Sequence, residues 1–259
     1  MTIRFKSTMQ CLALATGAAF LGADTQAGVY WNIQQTGLGG DMLGLVIQGE
    51  IGQADIPVVE EAITASAHLP TRVAILSSSG GSVHAAMTLG GLLREHSFDT
   101  VVPAGHSCVS ACVFLLGAGI RKTVEGQVGI HRPYFAAGSS ETVGQAILNL
   151  KKQTAAFFQK MNIPSRLAED MFSIDPAEVK MLTTDELSAY RLNSKDFAAQ
   201  EADALRTMEN YGLSRQEYEI FQKDLDYSCR VLIGRPQRMK ACVIAVADKY
   251  GIQLGSTGR

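Results

Sequence analysis

The sequence lacks a strong charge of either sign, a cysteine pair at two-residue spacing, an internal repeat, a low-complexity tract and an apolar run of bilayer length. A formal net charge of -2 over 259 residues leaves no electrostatic footprint for nucleic acid or an anionic membrane surface, so both are set aside as partners. Without two-residue cysteine spacing the common zinc patterns are absent, and no metal is implied. Without a repeat the chain is no solenoid. What is present is a 46% apolar composition, enough for one large α/β core with appendages or for two small ones.

The first segment reads as a secretory leader. Arg4 and Lys6 precede an apolar run from Cys11 to Ala23, and the small-residue site Thr25-Gln26-Ala27 follows. That run falls short of the ~20 residues a membrane-spanning helix needs. Residues 1–27 are therefore expected to be removed on export. Taking Arg4, Lys6 and Asp24 from 23 basic and 25 acidic residues leaves 21 and 24, a net charge of -3. The mature protein is expected in the periplasm or secreted.

Export opens the remaining cysteines to oxidation. Cys229 and Cys242 flank Gly234-Arg235-Pro236, whose turn folds them together, so they are expected to form a disulfide. Cys108 and Cys112 sit four apart on an expected helix, where Cβ atoms lie ~5–6 Å apart. A relaxed disulfide needs ~3.5–4.5 Å. That pair stays open.

Strand and helix patterns alternate along the chain. Met42 to Ile47 reads as a buried strand closed by Gly49, after a short connecting stretch that ends at Gly39-Gly40-Asp41. A helix capped near Asp55 follows, then a break at Pro70, a strand over Arg72–Leu76, a helix over 82–96 and a strand at Thr100–Val102. Cys108 to Leu116 is apolar on nearly every face and reads as a buried helix stopped by Gly117 and Gly119. Short strands at Thr123-Val124 and Val128–Ile130 lead to His131, and after a Gly138-Ser139-Ser140 turn a long helix spans 141–161. The alternation predicts an α/β fold of parallel βαβ type over 28–193, with a charged helical extension over 194–259.

Three pieces then stand out where apolar runs stop: Ser77-Ser78-Ser79-Gly80-Gly81-Ser82, His106 to Cys112, and Val128 to Pro133. Serine hydrolysis needs a hydroxyl, a base, a group that orients the base, and donors for the oxyanion. Ser110, near the start of the buried helix, supplies the hydroxyl, and the Ala111 N–H one donor. Gly80 and Gly81, with no Cβ in the way, supply the other. His131, held at a loop entrance, is the candidate base, beside the commoner reading of a lone histidine there as a satisfied structural residue. His84 and His96 read as surface or capping residues, while His106 and Ser107 rank as second choices lining the site.

These segments resemble the proteolytic subunit of the Clp protease and other members of the ClpP/crotonase superfamily. Gly49-Glu50-Ile51 resembles that family's turn after the first strand, and Ser78 to Val83 its Ser-Pro-Gly-Gly segment. Ser110 to Gly119 is similar to its nucleophile helix, and Ile130-His131-Arg132-Pro133 to its Ile-His-Gln-Pro. Among its uncharacterised periplasmic members a Cys-Ala-Ser-Ala-Cys segment resembles Cys108 to Cys112. The resemblance implies a ClpP/crotonase-like α/β fold of repeated ββα units, with a Ser110, His131 and Asp175 triad. Asp175 is found by counting back from Leu182 to Leu187, and Asp170 is the reserve. It further implies peptide-bond hydrolysis through an acyl-enzyme, a peptide or protein substrate, no cofactor, and assembly into a homo-oligomer. Two rivals stand beside it: a scaffold that keeps the fold with an idle site, and acyl-CoA chemistry. Export argues against the latter, coenzyme A being cytoplasmic.

Overall fold

The computed structural model describes residues 28–35, 41–67, 69, 71–134, 140–229 and 236–252. The expected leader over 1–27, the Pro70 break and the turns at Gly39-Gly40, Gly138-Ser139 and Gly234-Arg235 lie outside these residues.

Eight strands and nine helices are described. In chain order they are β1 (Gly28–Gln35), β2 (Asp41–Ile51), α1 (Asp55–Ala65), β3 (Thr71–Gly81), α2 (Val83–Glu95), β4 (Asp99–Val102), β5 (Ser107–Val109) and α3 (Cys112–Ala118). There follow β6 (Lys122–Val124), β7 (Gln127–Ile130), α4 (Ser140–Lys160), α5 (Arg166–Ser173), β8 (Lys180–Met181) and α6 (Thr184–Ala189). The chain ends in α7 (Phe197–Tyr211), α8 (Arg215–Cys229) and α9 (Pro236–Lys249). The fold is mixed α/β, and the sheet is mixed as well: β1/β2 and β7/β8 are antiparallel, the other pairs parallel.

The sheet forks along β3. Its first half, Val73 to Ile75, pairs with β4, which carries β6. Its second half reaches β5 through Ser78 and Cys108, and β5 carries β7 and β8. Alternate residues of β3 (Ala74, Leu76, Ser78, Gly80) are buried, as expected of a strand with one face on the core. Against that face lies α3, buried along all seven residues, with Phe114 against Phe157 and Phe158 of α4. Ser82 caps α2 by accepting from the Ala85 N–H, and a reciprocal Thr183–Glu186 capping box starts α6.

Several expectations are corrected. The connecting stretch after residue 27 is a strand, β1. The serine and glycine run does not end β3 but forms its last turn-ward residues. The expected helix over Cys108–Leu116 is two elements, because Ser110 takes a left-handed φ of 56° that no helix contains. Gly117 lies inside α3, and Gly119 alone ends it.

The extension has its own small core. Phe221, Val246, Ala247 and Ile252 are buried around the Cys229–Cys242 disulfide that ties α8 to α9. Its junction is fixed to the body: Asp196 caps α7 and binds Arg94 of α2 at 2.9 Å and Asn162 at 3.0 Å. Lys122, 4% exposed, lies by this network and donates to the Gly119 carbonyl at 3.0 Å. Burial, aided by repulsion from Arg94, lowers its pKa to about 8.

Candidate active site

The site begins with a defect in the β2/β3 ladder. The register shifts between Gln48 and Glu50, leaving Gly49 unpaired with φ 78°. Ser78, 2% exposed, fills the gap: its hydroxyl donates to the Gly49 carbonyl at 2.5 Å and accepts from the Gly80 N–H at 3.0 Å. Both backbone groups are thereby satisfied inside the core.

Gly80 and Gly81 then take φ of 111° and 139°, a backbone conformation that L side chains rarely adopt. At Gly80 the position of an added Cβ is 2.7 Å from Ser110 Cβ and 3.1 Å from the Ala111 nitrogen. At Gly81 it is 2.3 Å from the Ile51 oxygen. Only glycine allows both approaches. The Gly80 N–H, expected as an oxyanion donor, donates to the Ser78 hydroxyl in this structure. Ser82 N–H donates back to Ile51 at 2.9 Å, so by alternation the Gly81 N–H points away from β2. Gly81 is the glycine left to donate.

Ser110 occupies the single-residue step from β5 to α3. Its N–H donates to the Gly129 carbonyl of β7 at 2.9 Å and its own carbonyl accepts from Val113 at 3.1 Å. The Ala111 N–H has no backbone partner among the described residues, and neither does the Ser110 hydroxyl have a side-chain one. Cys108 and Cys112, left open by the sequence, are disulfide-bonded across this turn with Cα atoms 5.2 Å apart. The geometric objection fell with the shared helix: one cysteine is on a strand, the other on the first residue of a helix.

His131 leaves β7 beside this turn, since Val109 pairs with Gly129 two residues earlier. It is half-buried, and its Nδ1 lies 2.9 Å from the Arg132 carbonyl oxygen. A carbonyl only accepts, so Nδ1 is the donor in this contact, and in the tautomer that leaves the ring neutral Nε2 is the acceptor. No hydrogen bond joins Ser110 to His131 or His131 to Asp175 among the described residues. Asp175 is exposed and accepts from the Ala177 N–H at 2.9 Å, although the two loops touch where the Arg132 N–H donates to Ile174 at 3.2 Å. The reserve, Asp170, accepts from the Tyr190 hydroxyl at 2.5 Å and from Arg166, away from the imidazole. Burial and that carboxylate raise the Tyr190 pKa to about 12.

Exposed His106, a second choice for the site, has its Nδ1 2.9 Å from Ser77 Oγ. His84 is exposed on α2 and His96 caps its end, as expected. A cleft of about 440 Å³ lies at the other end of β3, away from Ser110, between Arg72, Asp99, Arg121 and Arg206. Ser78 is the functional residue that sequence reasoning missed. Its signal was Gly49, a glycine between Gln48 and Glu50 near the end of β2, where a glycine in a strand marks a bulge.

Among the described residues no group of three His, Cys, Asp or Glu side chains is placed to hold a metal ion. No helix among them is long and apolar enough to cross a membrane. Comparison with protein-family models gave no match, and comparison with curated proteins gave none either. The two disulfides fit a protein that folds outside a reducing cytoplasm.

Proposed function

We propose that this chain is an exported serine hydrolase with a ClpP/crotonase-like core, cleaving peptide bonds in the periplasm or outside the cell. The observation that carries the reading is Ser110 itself: a non-glycine residue at φ 56° on a strand-to-helix step, pressed by Gly80 and followed by an unpaired Ala111 N–H. Left-handed backbone at a bulkier residue costs of order 1–3 kcal/mol and is kept where the surroundings enforce it. The reading is supported by the order of the motifs in the sequence and by a mixed α/β fold that brings their segments to one end of β3. A homo-oligomer belongs to the same proposal by resemblance.

In the proposed reaction the Ser110 hydroxyl attacks the carbonyl carbon while His131 Nε2 takes its proton. The oxygen of the tetrahedral intermediate accepts from the Ala111 and Gly81 N–H groups. Collapse passes the proton from His131 to the departing amine and leaves an ester on Ser110. Water, deprotonated by the same imidazole, releases the acid. The Arg132 carbonyl holds the ring in the required tautomer in the free protein, with Asp175 one loop away.

A fluorophosphonate probe tests this. Mature protein should be labelled at Ser110, with Ser110→Ala unlabelled and His131→Ala slowed at least ~10³-fold. A second reading, an idle scaffold of the same fold, is favoured by the missing Ser110–His131 hydrogen bond. Folded wild type that resists the probe selects that reading.

A further inference from the structure

We infer that the Cys108–Cys112 disulfide is the element that positions Ser110, so that the hydrolase is competent when this bond is oxidised and idle when it is reduced. The inference rests on the hydrolase reading above and names the regulation of that same site.

An oxyanion hole constrains the turn that builds it. Its donors must be unpaired in the free protein, so the turn that carries them gives up the backbone hydrogen bonds that would hold it. Here the Ala111 N–H has no partner among the described residues, and Ser110 is held by one bond to Gly129 and one from Val113. Meanwhile Ser110 stays in a left-handed conformation that serine does not favour. Something else must fix the turn, and the disulfide closes it from both ends.

Both cysteines are 0% exposed and belong to the rigid frame. Cys108 pairs with Ser78 on one side and Val128 on the other, and Cys112 begins the fully buried α3. Bonding them fixes the separation of β5 and α3 at the one residue between them that must hold an unfavoured φ. The bond touches no reacting atom. It is a positioning element.

Reduction is balanced by a dithiol: the Sγ–Sγ bond takes up two electrons and two protons, two thiols form, and the reductant closes to its own disulfide. The freed turn can then relax towards ordinary helical φ, removing both the nucleophile and its neighbouring donor from alignment. A chain made in a reducing cytoplasm is thus inert until export oxidises it.

The test uses the Cys229→Ala/Cys242→Ala protein, in which 108 and 112 are the remaining mature-chain cysteines, with fluorophosphonate labelling and thiol counting by maleimide. Incubation with dithiothreitol should lower the labelling rate at least tenfold in step with the appearance of two thiols, and reoxidation should restore it. Cys108→Ala/Cys112→Ala should show the same loss with native far-UV circular dichroism and faster hydrogen exchange at the Ser110 amide. Labelling at the wild-type rate with two free thiols, or in that alanine variant, overturns the inference and leaves the hydrolase reading standing. Loss of the whole fold in both forms also overturns it, since the bond is then a general stabiliser. Oxidised wild type that resists the probe sinks the hydrolase reading, and this inference with it.

Discussion

Replacing Gly80 by alanine is the sharpest perturbation of the site. The new methyl would stand 2.7 Å from Ser110 Cβ and 3.0 Å from the Val109 oxygen, whereas carbon atoms in contact sit about 3.5–4.0 Å apart. Neither neighbour is the free end of a flexible side chain, so the whole turn must retreat by roughly 1 Å. At φ 111° an L residue carries ~1–3 kcal/mol of backbone strain, and forced packing adds ~1–3 kcal/mol. We expect Gly80→Ala to lose about 4 kcal/mol in guanidinium unfolding. Misplacing a reacting group by ~1 Å is worth ~10²-fold, so residual folded protein should react with a fluorophosphonate about 100 times more slowly. Gly91→Ala is the control: in the interior of α2, with no atom within 4 Å of its Cβ, it should gain ~0.5–1 kcal/mol. A Gly80→Ala protein within about 0.5 kcal/mol of wild type, the scatter of surface substitutions, and labelled at an unchanged rate would refute the close approach.

Ser78→Ala removes the hydroxyl that serves Gly49 and Gly80 at once, and should cost about 2 kcal/mol in the same unfolding assay by leaving buried backbone groups unpaired. Lys122 gives a pH dependence. Its folded pKa of about 8 lies below its ordinary 10.5, so between these values the unfolded chain binds the extra proton and stability rises with pH. The gain is at most about 3 kcal/mol, and it should remain in the difference between wild type and Lys122→Met, where Tyr190 and other titrations cancel. Asp175→Asn should leave the labelling rate within about threefold, the Arg132 carbonyl already fixing the imidazole. A drop near ~10⁴-fold would restore the aspartate as orienter.

The elements that were legible in the sequence share a cause. Helices α1, α2, α4 and α5 each bury one stripe in the core, and Leu43 to Ile47, Val101-Val102 and Val128 to Ile130 are short apolar stretches of β2, β4 and β7, so local pattern reports tertiary burial. The β1 strand escaped because apolar residues stand on both of its faces and are not all covered: Tyr30 and Ile33, on opposite faces, are 50% and 41% exposed, which spoils alternation. The two-residue β8, with both residues exposed, carries no pattern at all. The fork in the sheet is not a local property: β3 changes partner along its length because β4 and β5 arrive from separate stretches of chain.

At the site, the residue types were readable and their division of labour was not. Two adjacent glycines offer two N–H groups, and nothing in composition distinguishes them. What separates them is a hydroxyl two residues back, meeting a bulge formed about thirty residues earlier. The same holds for the stretch from Cys108 to Cys112. Apolar on nearly every face, it fits a helix as well as a strand followed by a helix, since a wholly buried segment has no exposed face to set a period. The one residue that decides is Ser110, whose left-handed φ resets the chain direction between the two. Once that step is granted, the distance that spoke against a disulfide speaks for one, and the bond and the nucleophile become parts of one local arrangement. A serine flanked by cysteines at -2 and +2 is then best read as a turn: each sulfur lies in a different element, and the residue midway carries the conformation that neither element permits.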